Sequence, residues 1–131
     1  EEMVREKDLA ARVFFLGYVQ NVWEFMKRAD LFISVSYYEG RPNVVLEAIA
    51  CGCPLILSDI PAHRDFLLDG DALFVNPRDA SALAGAIVKA LEDPEMSRKM
   101  AVKAKKEVSS YSVSNTTDQY EDIYQTVLLN H

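Results

Sequence analysis

The sequence has 131 residues, 50% of them hydrophobic and 26% charged, which fits one globular domain and excludes a disordered, collagen-like or low-complexity chain. At this length folding removes about two thirds of the unfolded chain's accessible surface, so a core can form without disulfides or a structural metal. Twenty Asp and Glu against 14 Lys and Arg give a net charge of -6, which speaks against nucleic acid and anionic membranes as partners.

The chain opens on Glu1-Glu2-Met3-Val4-Arg5-Glu6-Lys7, a charged, helix-like run that reads as neither a signal peptide nor a transit peptide. Val13-Phe14-Phe15-Leu16, closed by Gly17, predicts a first strand. Val22, Phe25, Met26 and Ala29 then follow the i, i+3, i+4, i+7 spacing of one helix face. Leu31 to Val35 predicts a second strand, and a polar loop leads from it into a helix with Asn43 as its N-cap. Leu55-Ile56-Leu57, ending at Ser58-Asp59, predicts a third strand, and Ala72 to Val75, ending at Asn76-Pro77, a fourth.

Leu83, Ile87 and Leu91, with Ala84 and Val88, mark a further amphipathic helix. Asp93-Pro94-Glu95 supplies a cap, a proline for the first helical position and an acid for the first turn, so a helix is expected from there to about Val108. A last helix carries Tyr120, Ile123, Tyr124, Val127 and Leu128 on one side. Alternating strands and helices, with strands that are continuously apolar, predict an α/β fold around a parallel sheet buried on both faces. The longest apolar runs, Leu31 to Val35 and Val44 to Leu46, are far short of the roughly 20 residues of a membrane span.

Cys51 and Cys53 flank Gly52, where a mutual disulfide would be badly strained, so both read as buried thiols in a reducing, cytoplasmic setting. The only histidines are His63 and His131, too few for a metal site with these cysteines, and His63 reads as a surface or capping residue. Lys99, Lys103, Lys105 and Lys106 read as the solvated face of their helix.

In an open parallel sheet ligands bind beyond the carboxyl ends of the strands. The informative segment there is Ser36-Tyr37-Tyr38-Glu39-Gly40-Arg41-Pro42-Asn43-Val44-Val45-Leu46-Glu47-Ala48. Amides just after Asn43, backed by the positive end of the helix dipole, suit a phosphate. Glu47 lies one turn inside the helix and leans back toward its start, while Glu39 approaches from the loop. An anion site bracketed by two acids suits a ligand with hydroxyls on both sides of a phosphate, the layout of a nucleotide sugar.

At these residues the sequence resembles the retaining glycosyltransferases of family four, also called group 1. Glu39 and Glu47, followed by Ala48-Ile49-Ala50-Cys51-Gly52-Cys53-Pro54-Leu55-Ile56, match the family's donor-binding signature, and the likeness extends upstream to Val13 and downstream to Pro61. It implies the later part of the C-terminal, Rossmann-like donor domain of a GT-B enzyme, with residues 1–131 as that part. The N-terminal acceptor domain and the donor domain's first strands would lie outside this chain. Glu47 would hold the ribose hydroxyls and Glu39 would contact the transferred sugar as the catalytic-site acid. Gly40, Arg41, Pro42 and Asn43 would form the loop over the sugar, the amides of Val44 and Val45 would meet the pyrophosphate, and Tyr18 and Val19 would lie near the nucleobase. For Arg41, a pyrophosphate contact and plain solvation both stay open, as does any role for Asp65.

The implied function is transfer of a sugar from a nucleotide diphosphate donor to an acceptor with retention of configuration, without a metal or other cofactor. The acceptor is unidentified. The alternative is a non-catalytic nucleotide-sugar-binding or interaction module with the same fold; a flavodoxin-like or receiver-type domain is disfavoured by the paired Glu and the Gly-x-Pro-Asn loop. Asp69-Gly70-Asp71 imitates the Asp-x-Asp metal motif of the other large glycosyltransferase fold, but its place before a strand makes it a turn. It also shortens the family's usual Glu-Asn-Gly turn. Without central strands of its sheet the chain is expected to be inactive alone and to self-associate.

Overall fold

A three-stranded parallel sheet lies at the centre of the computed structural model, which describes residues 1–111 and 113–129. The elements run α1 (Glu2–Glu6), α2 (Val22–Met26), β1 (Phe32–Ser34), α3 (Asn43–Ala50), β2 (Leu55–Ser58), α4 (Pro61–Arg64), β3 (Leu73–Val75), α5 (Ala80–Glu92), α6 (Pro94–Glu107) and α7 (Val113–Leu129). The strand order is β1-β2-β3, with Phe32 opposite Leu55 and Ile56 opposite Leu73, so each strand returns parallel to the last through a helix. This is the α/β architecture expected from the sequence. His131 lies outside the described residues.

β2 is the centre of the core. Leu55, Ile56, Leu57 and Ser58 are all fully buried. Leu55 and Leu57 join Val45, Ala48 and Ile49 of α3, Leu67, and Ala104 of α6, while Ile56 points to the opposite face, as the two-residue period of a strand requires. Each large apolar side chain buried this way contributes about 1.5–3 kcal/mol. Only β2 meets the expectation of burial on both faces: β1 is paired on one side alone, and its Ile33 is 39% exposed.

The first predicted strand does not form. Residues 13–17 have no regular structure, and Phe14, Phe15 and Leu16 are exposed. A strand needs a neighbour for its N–H and C=O groups, and the sheet brings none to this segment.

The helices stand where their periodicity places them, except that α2 stops at Met26 and leaves Ala29 beyond its end, and their stripes are incompletely covered. In α2 Met26 is buried while Phe25 is exposed; in α5 Ala90 is buried, Leu83 and Ile87 are half-buried, and Ala84, Val88 and Leu91 face out. Tyr120, Ile123, Tyr124, Val127 and Leu128 of α7 are all exposed. Period locates a helix; burial also needs a partner surface.

Helix ends follow local chemistry. Asp79 accepts from the Ala82 amide and Asp93 from the Met96 amide, both at 2.8 Å, with Pro94 in the first turn of α6 as expected. α3 ends with Gly52 at φ +74, the Gly52 amide donating to Ile49 O (2.9 Å) and the Cys53 amide to Ala48 O (3.0 Å). That pair of bonds is a Schellman motif, and it turns the chain directly into β2. Among the described residues no helix is long and apolar enough to cross a membrane.

Candidate functional site

The loop after β1 and the start of α3 lie at the carboxyl end of the sheet, next to the segment that leaves β2 for α4. Between them is a cavity of about 210 Å³, with Tyr37, Tyr38, Glu39 and Gly40 on one wall and Pro61 and Asp65 on the other. Glu39 is half-buried, and its Oε1 accepts a hydrogen bond from Ser36 Oγ at 2.6 Å, which fixes the carboxylate's direction. The guanidinium of Arg78, beyond β3, stands 5.7 Å from the centre of the Tyr37 ring, so three strand ends converge on this loop.

α3 begins differently from the expectation. Pro42, not Asn43, is the N-cap: the Pro42 carbonyl accepts from the amides of Val45 (3.0 Å) and Leu46 (3.3 Å), while Asn43 is the first helical residue and its side chain makes no capping bond. The Asn43 amide is itself used, donating to Arg41 O at 2.8 Å. Proline needs no N–H of its own, so a Pro carbonyl can close this first turn without loss. Of the two amides assigned to a phosphate, that of Val45 is therefore turned into the helix. The amide of Val44 has no partner among the described residues.

Glu47 lies one turn on, three residues from Val44 and on the same outward face. It is exposed and its side chain forms no hydrogen bond or ion pair among the described residues, so its carboxylate is available to a ligand. Arg41 is exposed and Pro42 buried. Tyr18 is 92% exposed and Val19 half-buried, in the irregular segment before α2; neither lines the cavity with Glu39.

Several residues set aside in the sequence hold this end of the sheet in shape. His63 is fully buried, not a surface residue: its Nδ1 is 2.9 Å from the carbonyl of Ser58, which pins α4 to the end of β2, and its buried Nε2 has no hydrogen-bond partner among the described residues. Arg64 donates to both oxygens of Asp59 (2.6 and 3.0 Å) and to Asp69 (2.6 Å), with its guanidinium 3.7 Å from the centre of the Phe74 ring. These bonds hold the Asp59 carboxyl below its ordinary range. The five-residue spacing Asp59, Arg64, Asp69 is the one sequence signal that could have marked this clamp.

Asp69-Gly70-Asp71 is a turn, as expected, with Gly70 at φ +88. Its acids are engaged by the protein itself, Asp69 by Arg64 and the fully buried Asp71 by the Leu68 amide (2.6 Å) and Lys103 (3.1 Å). Lys103 and Lys105 therefore do more than solvate a helix face, for Lys105 donates to Ala50 O at 3.2 Å at the end of α3. Among the described residues no three His, Cys, Asp or Glu side chains gather as a metal site.

The model of the group 1 glycosyl transferases matches residues 1–107, which include the cavity, both glutamates and the start of α3. The chain belongs to this family. Of its relatives, the N-acetyl-alpha-D-glucosaminyl L-malate synthase of Bacillus anthracis is 31% identical over 129 residues, 97% of this chain and 34% of that protein. The phosphatidyl-myo-inositol mannosyltransferase of Mycolicibacterium smegmatis is 33% identical, again over 97% of this chain and 34% of its own. Among solved structures, sucrose-phosphate synthase from Thermosynechococcus elongatus superimposes with a TM-score of 0.89 at 28% identity, over 99% of this chain and 34% of that one. HepE of Anabaena, in complex with UDP, matches with a TM-score of 0.89 at 22% identity over 95% of this chain and 35% of that one, a likeness of fold. This group 1 chain thus has the α/β architecture of a GT-B glycosyltransferase and spans about a third of the length of the relatives it matches.

Proposed function

We propose that this chain is the donor-binding part of a retaining glycosyltransferase, which takes a sugar from a nucleotide diphosphate and passes it to an acceptor. The observation that carries the reading is the placement of Glu39 and Glu47 on the two sides of the opening turn of α3, with the Val44 amide unspent between them. Glu47 takes the ribose hydroxyls. The Val44 amide and the helix dipole face the pyrophosphate, and Glu39, aimed by Ser36, meets the transferred sugar. Tyr18 and Val19 border the nucleobase. HepE of Anabaena, a protein of the same fold solved with UDP and with UDP-glucose, supports such a donor.

Rate enhancement comes from stabilising the departing pyrophosphate while the acceptor attacks the same face of the sugar, so neither a protein nucleophile nor a metal is needed. The acceptor belongs to a separate domain, and residues 1–131 are the later part of the donor domain. The open edge of β1 and the one-third coverage of relatives support that division.

A thermal-shift panel of UDP, GDP and ADP and their sugars on the native protein tests the reading. One series should raise the melting temperature, and the product made from that donor should keep the donor's anomeric configuration by NMR. Binding without turnover favours a non-catalytic binding module; no binding at all refutes the donor site.

A further inference from the structure

The cavity that holds Glu39 has a second carboxylate on its opposite wall. We propose that Asp65 is a sugar-specificity residue: with Glu39 it makes this cavity accept a neutral sugar ring and reject a uronic acid. The inference rests on the reading of Glu39 as the sugar-facing acid and deepens it.

The cavity, at about 210 Å³, is below the 300–1,000 Å³ typical of sites for drug-sized ligands, so it takes a single ring and not a whole nucleotide. Tyr37 and Tyr38, 68% and 85% exposed, line it beside a sugar's C–H groups, while the carboxylates of Glu39 and Asp65 accept from its hydroxyls. Asp65 forms no side-chain hydrogen bond or ion pair among the described residues, so its accepting capacity is intact.

Charge decides which ring fits. Among the described residues no Lys, Arg or His lines the cavity. The nearest guanidinium in sequence, that of Arg64, is taken by Asp59 and Asp69; that of Arg78 stands against Tyr37; and Arg41 is exposed and does not line the cavity. A uronate would bring a third negative charge between the half-buried Glu39 and the exposed Asp65, a repulsion that solvent and salt screen only in part over so short a distance. A hydroxymethyl group in the same place donates a hydrogen bond instead. Rejection by like charge is an economical route to specificity, because it needs no contact tailored to the favoured ring.

The test compares UDP, UDP-glucose and UDP-glucuronate by calorimetric titration of the native protein and its Asp65→Asn and Asp65→Glu variants. The native protein should bind UDP-glucose about tenfold or more tightly than UDP-glucuronate. Asp65→Asn should close most of that gap by tightening UDP-glucuronate and should leave UDP itself within about twofold, whereas Asp65→Glu should preserve the gap. The Asp65 carboxylate accepts no hydrogen bond among the described residues, so these variants should leave the melting temperature of the free protein unchanged. Equal affinity of the native protein for the two sugars, or an equal shift of both in Asp65→Asn, would overturn the assignment while leaving the donor site standing. If UDP, GDP and ADP all fail to bind, the donor-site reading falls and the Asp65 assignment falls with it.

Discussion

Lys103 of α6 places its ammonium 3.1 Å from Oδ1 of Asp71, an ion pair with a side chain that has no exposed surface, and it donates a hydrogen bond to the carbonyl of Asp69 at 2.8 Å. The other oxygen of Asp71 accepts from the Leu68 amide at 2.6 Å. The turn that leads into β3 is thus tied to α6, and α6 in turn lies against α3 and β2. A carboxylate with no access to water is stable only while its partner remains, and Lys103, 46% exposed, is that partner.

Removing the lysine should therefore cost more than removing an ordinary surface charge. Lys103→Met keeps the stem that packs on the helix and deletes the charge, and it should destabilise the native protein by about 3 kcal/mol in urea unfolding, near the low end for breaking a buried pair. Lys99→Met, whose partner Glu95 is exposed, should change stability by at most about 0.5 kcal/mol. Similar costs for the two variants would show that Asp71 is hydrated in solution.

Gly52 serves the same end of the molecule through its backbone. Its φ of +74 is required by the turn from α3 into β2, and a Cβ there would meet nothing within 4 Å, so any penalty for a side chain is conformational and not steric crowding. Gly52→Ala should cost about 1–2 kcal/mol, the penalty for an L-residue in the left-handed region. Gly40→Ala, with equally open space and no positive φ, should cost close to nothing in stability.

Much of this fold was legible because its signals are local. Asp93-Pro94-Glu95 announces α6, and the apolar run of Leu55 to Leu57 announces β2, since capping and strand patterning act within a few residues. The glutamates, Gly40 and the Pro42-Asn43 turn were also in view, as a spacing. Three things were not. Val13 to Leu16 has a strand's composition but no neighbour to pair with, and no residue in the run itself carries that information. His63 reads as a surface residue because its burial is created by Ser58 and the close of α4 over β2. Asp71 needs Lys103, which is remote in sequence and adjacent only after α6 has docked.

The two glutamates should separate by readout. Glu47→Ala should weaken binding of the nucleoside diphosphate itself by about 1–3 kcal/mol, the range for hydrogen bonds to a charged group. Glu39→Ala should depress turnover more than it weakens binding of the bare nucleotide, because the group meets only the sugar. Ser36→Ala should follow Glu39→Ala in kind but more mildly, since the carboxylate remains and only the 2.6 Å bond that aims it is lost. If Glu47→Ala leaves nucleotide affinity unchanged, its ribose assignment is wrong; if Glu39→Ala lowers binding and turnover equally, Glu39 merely shapes the loop.

The cysteines should differ in reactivity. Burial, with Cys51 and Asp30 nearby, pushes the Cys53 thiol up to about 11, and its Sγ–H donates to Ala29 O at 3.7 Å. The thiolate is the nucleophile, so at pH 8 Cys53 is almost entirely in its unreactive form, whereas the half-buried Cys51 is open to reagent. Brief iodoacetamide treatment followed by mass spectrometry should find label on Cys51 and not on Cys53. Label on Cys53 should rise only as the pH approaches 11 or as denaturant is added.

The free side of β1 leads to the last expectation. Phe32 to Ser34 pair with β2 on one side only, Ile33 is 39% exposed, and Phe14, Phe15 and Leu16 stand 72%, 59% and 57% exposed. A strand edge of this kind offers a row of unpaired N–H and C=O groups, and apolar side chains beside it reward any chain that covers them. The 131-residue chain expressed alone should therefore associate as its concentration rises, measured by light scattering, and should transfer no sugar. Charge on the edge is the natural remedy: Ile33→Lys places an ammonium where a second copy would dock, and it should shift the chain toward monomer without disturbing β2, whose side chains stay buried on the other side of the pairing. Phe15→Lys should act in the same direction if the 13–16 segment joins the contact, and should have no effect if the β1 edge alone is responsible. A chain that stays monomeric at high concentration without these substitutions would mean that the exposed segment folds back to cover its own edge in solution.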